Sequence, residues 1–115
     1  MLIGENTKIL LYLPPTDMRK SIDTLCVLIT DVLVMNPTEG SLFLFRSRDK
    51  NKLKALYYER NAFTLWCRRL EKGRFVFPKN DEGKIEITDE HFKWILSSDK
   101  YTRIDATDSK YEKFY

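Results

Sequence analysis

The sequence predicts an α+β fold on a mostly antiparallel sheet, in the order strand, long helix, β-meander, short C-terminal helix. Three observations lead there. Residues 8–13 form a short apolar run stopped by Pro14-Pro15. Ile22, Leu25, Cys26, Ile29, Val32 and Leu33 then follow at helical spacing. From residue 41 to residue 87, short apolar and aromatic segments alternate with turn residues, as strands of a sheet do. The chain has 115 residues, of which 43% are hydrophobic and 13% aromatic. That supports one hydrophobic core, so we expect a single domain over 1–98 and a polar tail over 99–115.

Each element has its own argument. Residues 8–13 read as a buried strand, ended by prolines that cannot donate to a ladder. Thr16 or Asp17 reads as a helix N-cap, because either side-chain oxygen can accept from a free backbone N–H. The apolar stripe that follows predicts an amphipathic helix of about 16–18 residues. Asn36-Pro37 ends it, since the residue before proline avoids the α region. Residues 41–46 and 53–59 read as strands around a polar turn. Arg60-Asn61 suits a tight hairpin turn. Residues 62–70 read as a third strand. A short helix competes there, because Phe63, Trp66, Cys67 and Leu70 also have helical spacing. Residues 74–77 read as a short strand stopped by Pro78, and residues 84–87 as an alternating edge strand. Thr88 can cap a last helix, with Asp89 and Glu90 suited to its dipole. Phe92, Ile95 and Leu96 make its apolar face, with Trp94 partly off it.

Composition narrows the class. No apolar run approaches the ~20 residues of a membrane helix. Residues 1–8 lack the pattern of a secretory signal, so we expect a cytoplasmic protein. Cys26 and Cys67 are not in a CxxC pair, and His91 is the one histidine. That inventory cannot build a typical Cys/His zinc site. A reduced, buried thiol is expected for each cysteine, and a disulfide needs a fold that brings the two together. We expect no cofactor, no metal and no small-molecule substrate.

Charge is unevenly spread. Between residues 43 and 79, eleven basic residues face Asp49, Glu59 and Glu71, a net charge of +8 within a chain of net charge +3. Residues 81–90 reverse the sign, with five acids against Lys84. Such polarity implies a preferred sign of partner. Arg46, Arg48, Lys54, Arg60, Arg68, Arg69, Lys72 and Arg74 are the candidate phosphate contacts, with Tyr58 or Trp66 as stacking surfaces. The plainer reading makes the aromatics core and the charges a solvated rim.

Thr16, Asp17, Arg19 and Lys20 form a second candidate: a helix start that grips an anion or a partner through free N–H groups and two cations. A capped, salt-bridged first turn explains the same residues. Asp17 and Asp23, six apart, fall on nearly opposite helix faces and make no acid/base dyad. Ser21 has no histidine nearby in sequence. His91 reads as a surface or half-buried structural residue.

Four blocks, in order and spacing, carry a resemblance. They are Pro14-Pro15-Thr16-Asp17-Met18-Arg19-Lys20-Ser21-Ile22-Asp23, Ser41-Leu42-Phe43-Leu44-Phe45-Arg46, Lys54-Ala55-Leu56-Tyr57-Tyr58 and Arg68-Arg69-Leu70-Glu71-Lys72-Gly73-Arg74-Phe75. From about Lys8 to Leu96 the chain resembles the accessory second-reading-frame (TnpB-type) proteins of bacterial insertion sequences of the sixty-six family. The resemblance implies a non-catalytic protein that assists DNA transposition beside a separate transposase, which performs the cutting. It carries no catalytic residues over. Glu59-Arg60-Asn61 stands where relatives often have a glycine or second acid, and Phe77 where Trp is commoner.

Three functions compete. An accessory factor contacting nucleic acid needs the basic side chains on one surface. A module docking on the transposase, or on another element-encoded protein, needs an exposed apolar patch instead. An enzyme needs Asp17, Asp23, Glu59 or Glu71 to converge with Arg19 or Lys20.

Overall fold

The computed structural model describes residues 4, 6–79 and 82–97, so the expected tail over 99–115 lies outside the described residues. Five strands, β1 (Ile9–Tyr12), β2 (Leu42–Arg46), β3 (Lys52–Glu59), β4 (Ala62–Arg69) and β5 (Lys84–Ile87), form one sheet in the order β4-β3-β2-β1-β5. Two helices accompany it, α1 (Ile22–Asp31) and α2 (Asp89–Ser97). β1 and β2 are parallel, and every other neighbouring pair is antiparallel. The architecture is α+β with a mostly antiparallel sheet.

Both sheet faces are covered, which explains why β1 and β2 read as unbroken apolar runs. Ile9, Leu11, Leu42, Leu44, Leu53 and Ala55 point to one face, beneath Phe92, Trp94 and Ile95 of α2 and beneath Phe75 and Phe77. Leu10, Phe43, Phe45 and Leu56 point to the other, beneath Leu25 and Ile29 of α1. The registers agree: Ile9 pairs with Leu42 on the first face, and Leu10 with Phe43 on the second.

Several elements differ from expectation. α1 has 10 residues rather than 16–18, and its N-cap is Ser21, not Thr16 or Asp17. Asp17 is occupied by Arg19, while Thr24 Oγ1 accepts from the Ser21 N–H at 2.8 Å and closes the actual helix start. Residues 74–77 are not a strand. They have no regular structure and pack against a sheet face, with Phe75 and Phe77 buried and a backbone bond from Phe75 N–H to the Lys50 carbonyl at 2.7 Å. Trp94 is buried rather than partly off the apolar face. Cys67 is exposed, and both cysteines are free.

Other elements match. Of residues 62–70, Ala62–Arg69 is strand rather than helix, and β5 is an edge strand. The hairpin turn between β3 and β4 is Arg60-Asn61, with φ of 51° and 62°, the pair of left-handed residues a two-residue primed turn needs. Thr88 caps α2 by accepting from the His91 N–H at 2.9 Å. His91 is half-buried, and burial pushes its pKa below the ordinary value.

α1 is bracketed by two lysines from the sheet. Lys54 of β3 reaches the Met18 and Lys20 carbonyls just before the helix. Lys84 of β5 donates to the Leu33 carbonyl just after it, at 2.9 Å. The second contact supplies a cation at a helix end whose last turn has none of its own.

Beyond that end, Val34 has φ of 55° and is 80% exposed. A β-branched residue is strained in the left-handed region, and little apolar burial offsets the strain here. Val34→Gly is expected to raise stability by about 0.5–1 kcal/mol, after subtracting glycine's added unfolded-state entropy. Urea denaturation of the two proteins measures it. An equal loss instead would mean that Val34 packs usefully where it stands.

Candidate nucleic-acid interface

The sheet topology gives the molecule two chemically different ends. β1, β2 and β4 finish at one end, where β3 and β5 begin. Arg46, Arg48, Lys50, Lys52, Arg68, Arg69, Lys72 and Arg74 therefore gather there. The polar turn after β2 and the turn after β4 are tied together by Leu70 N–H to the Asn51 carbonyl at 2.8 Å. The segment before α1 joins the same end, with Thr16 N–H donating to the Arg46 carbonyl at 2.8 Å. Arg19, Lys20 and Lys79 add to it, against Asp17, Asp49, Glu71 and Glu82.

Arg60 does not belong to this group. It sits in the hairpin turn at the far end of β3, about 23 Å away along an eight-residue strand. That far end carries Glu39, Glu59, Asp89 and Glu90 with Lys8 and Arg60. Spacing alone could not separate Arg60 from the others, because a hairpin reverses direction between neighbours in sequence.

Two more candidates have their donors engaged inside the fold. Lys54 Nζ donates to the Met18 and Lys20 carbonyls, each at 2.7 Å. Arg46 Nε donates to the Leu13 carbonyl at 2.6 Å, and its guanidinium lies 5.9 Å from the centre of the Phe77 ring. The rest are exposed: Arg48, Arg68, Arg69, Lys72 and Arg74. Arg68 and Arg69 point to opposite faces of edge strand β4, since they pair with Leu53 and Lys52 on alternate sides. Arg69 also forms a surface ion pair with Glu71 at 2.9 Å, the kind of pair worth about 0–1 kcal/mol and readily exchanged for a phosphate.

The candidate stacking residues are half-buried. Tyr58 packs edge-on against Phe63 at 5.0 Å and sits near the hairpin turn, away from the basic end. Trp66 packs against the α2-side core cluster.

The Thr16–Lys20 segment is a loop rather than a helix turn, so it presents no row of free helix N–H groups. Arg19 grips Asp17 through two guanidinium nitrogens, at 2.7 to 3.1 Å. Those hydrogen bonds hold the Asp17 carboxyl well below the usual carboxylate range. Thr16 is buried, with no hydrogen-bond partner for its hydroxyl.

The four acids that an enzyme reading needs lie apart and exposed. Asp17 is on Arg19, Asp23 is in the first turn of α1, Glu71 is on Arg69, and Glu59 is at the far end. Among the described residues no group of three or more His, Cys, Asp or Glu is placed to hold a metal ion. Among them, too, no helix is long and apolar enough to cross a membrane.

Among the described residues, open clefts lie at both ends of the sheet. One, of about 520 Å³, lies at the far end beside Tyr57, Tyr58 and Glu59. Another, of about 380 Å³, lies at the basic end and is lined in part by Arg46, Lys50 and Lys79. Lys50 and Lys79 are visible in the sequence as members of the basic stretch, but their convergence comes from the turn after β2 meeting residues 74–79.

Comparison with known proteins agrees with the resemblance in the sequence. "Uncharacterized protein y4hO" of Sinorhizobium fredii is 34% identical over 94 residues, 82% of each chain. "Uncharacterized protein y4jC" of the same organism is 27% identical over 97 residues, 84% of this chain and 83% of its own. No solved structure matches the chain. The family described as "IS66 Orf2 like protein" matches residues 7–106, from before β1 to beyond α2, and the chain belongs to that family.

Proposed function

We propose that this protein is a non-catalytic accessory factor of DNA transposition that contacts nucleic acid through the basic end of its sheet. Family membership supports the tie to insertion-sequence transposition. The single observation that carries the contact is the gathering of Arg48, Arg68, Arg69, Lys72 and Arg74, all exposed, at one end of the sheet. A surface that is merely solvated mixes its signs, whereas here cations outnumber acids at this end and acids outnumber cations at the other. Arg68 and Arg69, pointing to the two sides of β4, can straddle a backbone and reach phosphates on either side of the strand edge.

The test is fluorescence anisotropy of labelled double-stranded and single-stranded DNA over a range of salt. Affinity is expected to fall linearly in log salt. The Arg68→Ala/Arg69→Ala/Arg74→Ala variant should lower that slope by about 2–3, at roughly 0.9 for each duplex phosphate that is no longer neutralised. Arg60→Ala at the far end should leave affinity unchanged. Equal losses from both variants, or no binding at low salt, would sink the proposal.

A second reading, docking on the transposase or another element-encoded protein without direct DNA contact, has its own observation. Val27, Val32 and Val34 are exposed on and just beyond α1, at 57%, 56% and 80%. Exposed aliphatic side chains along one segment suit a protein partner. A Val27→Asp/Val32→Asp protein that binds DNA normally but no longer supports transposition would favour it.

A further inference from the structure

Apart from the β4 rim, the basic end holds a more enclosed feature. Arg46, Lys50 and Lys79 converge on the cleft of about 380 Å³, whose walls include Leu13, Pro14, Phe77 and Pro78. It lies beyond the carboxyl ends of the two parallel strands, β1 and β2, the side on which parallel strands characteristically present ligand sites. Arg46 is held in place. Its Nε and Nη1 donate to the Leu13 and Ser47 carbonyls at 2.6 and 3.3 Å, and Phe77 lies against the guanidinium. These bonds leave Nη2 without a protein acceptor among the described residues. Neither Lys50 nor Lys79 forms an ion pair among them. Among the described residues, the acids near them in sequence, Asp49 and Glu82, do not line the cleft.

Three like charges around one cleft repel each other, and an anion relieves that repulsion. A purely structural role for Arg46 accounts for its bonds to the ends of β1 and β2. It does not account for two lysines, from separate loops, lining the same cleft. We infer that this cleft takes a phosphate group, with Arg46 Nη2 as the oriented donor and Lys50 and Lys79 as mobile charges. The proline and phenylalanine walls leave apolar surface for the sugar or base of an ester. Only the source of the phosphate rests on the nucleic-acid reading. The 5′-phosphate of a strand end, an internal phosphodiester and free phosphate share this chemistry.

Amide NMR titrations of the full chain test it. The ligands are inorganic phosphate, a single-stranded oligonucleotide with a 5′-phosphate, the same strand with a 5′-hydroxyl, and sodium chloride at matched ionic strength. The Leu13, Lys50 and Gly83 amides are expected to shift with phosphate and not with chloride. Lys50→Gln/Lys79→Gln should weaken phosphate binding at least tenfold, as expected for removal of two charge-assisted donors. Tighter binding of the 5′-phosphorylated strand identifies a strand end as the source, and equal binding of both strands an internal phosphodiester. A response to inorganic phosphate alone identifies the free ion. Shifts reproduced by chloride, or a double variant that binds phosphate as the parent does, overturn the inference. The Arg68→Ala/Arg69→Ala/Arg74→Ala protein should keep its phosphate-induced shifts even where it no longer binds DNA, so failure of the cleft and failure of the β4 surface are separable.

Discussion

Phe75→Ala is expected to destabilise the protein by about 3–5 kcal/mol, the usual cost of emptying a core phenylalanine site. This is a large part of the whole, since native proteins are stable by about 5–15 kcal/mol. Phe75 carries this weight although it lies in no helix or strand. Its ring is 1% exposed, packs 6.1 Å from the Phe77 ring and belongs to the cluster beneath α2. Its backbone is tied to the turn after β2 by the bond to the Lys50 carbonyl. Residues 70–77 therefore act as a strap that covers one sheet face with side chains instead of adding a strand. In urea the midpoint should fall by about 2 M, taking a slope near 2 kcal/mol per M. A loss below about 1 kcal/mol would mean that the strap detaches without disturbing the sheet, and that α2 alone covers this face.

Phe75 also shows how far the sequence could be read. Arg74-Phe75-Val76-Phe77 alternates as a strand does, and both phenylalanines are buried, but the segment is not a strand. Whether such a segment pairs with a sheet edge or lies across a face depends on which edges are open, and that is a tertiary fact. β1, β2, β3, β4, β5 and α2 were legible because their periodicity and flanking turn residues agree. The start of α1 misled because Thr16 and Asp17 are both good capping residues, yet neither caps the helix: the Asp17 carboxylate is engaged by Arg19 and the Thr16 hydroxyl is buried without a partner. Ser21 takes the N-cap four residues after Asp17. The basic character of the middle third was equally legible. Its division between two ends was not, since that required the strand order and the reversal at Arg60-Asn61. The capture of Lys54 and Arg46 by backbone carbonyls was also hidden, because their acceptors lie more than thirty residues away in sequence.

Lys54→Met is expected to cost about 2–4 kcal/mol while leaving DNA affinity per folded molecule within about twofold. Methionine keeps an unbranched apolar stem opposite Phe45, the residue that Lys54 faces across β2 and β3. What is removed is the ammonium, whose two bonds at 2.7 Å hold the Met18 and Lys20 carbonyls to the sheet. Hydrogen bonds from a charged donor contribute about 1.5–3 kcal/mol each, and here one deletion removes two and leaves both part-buried acceptors unanswered. The loss should be local as well as global. Amides of residues 16–21 should exchange faster with solvent, because Lys54 is the main anchor between that loop and β3. The same substitution discriminates between the two roles that a basic residue can have in this protein. A tether changes stability and loop protection but not the salt slope of DNA binding. A phosphate contact does the reverse, supporting affinity and slope with little bearing on stability. A salt slope that drops by about 1 in Lys54→Met, with urea stability intact, would return Lys54 to the proposed phosphate-contacting surface and make its two carbonyl bonds incidental.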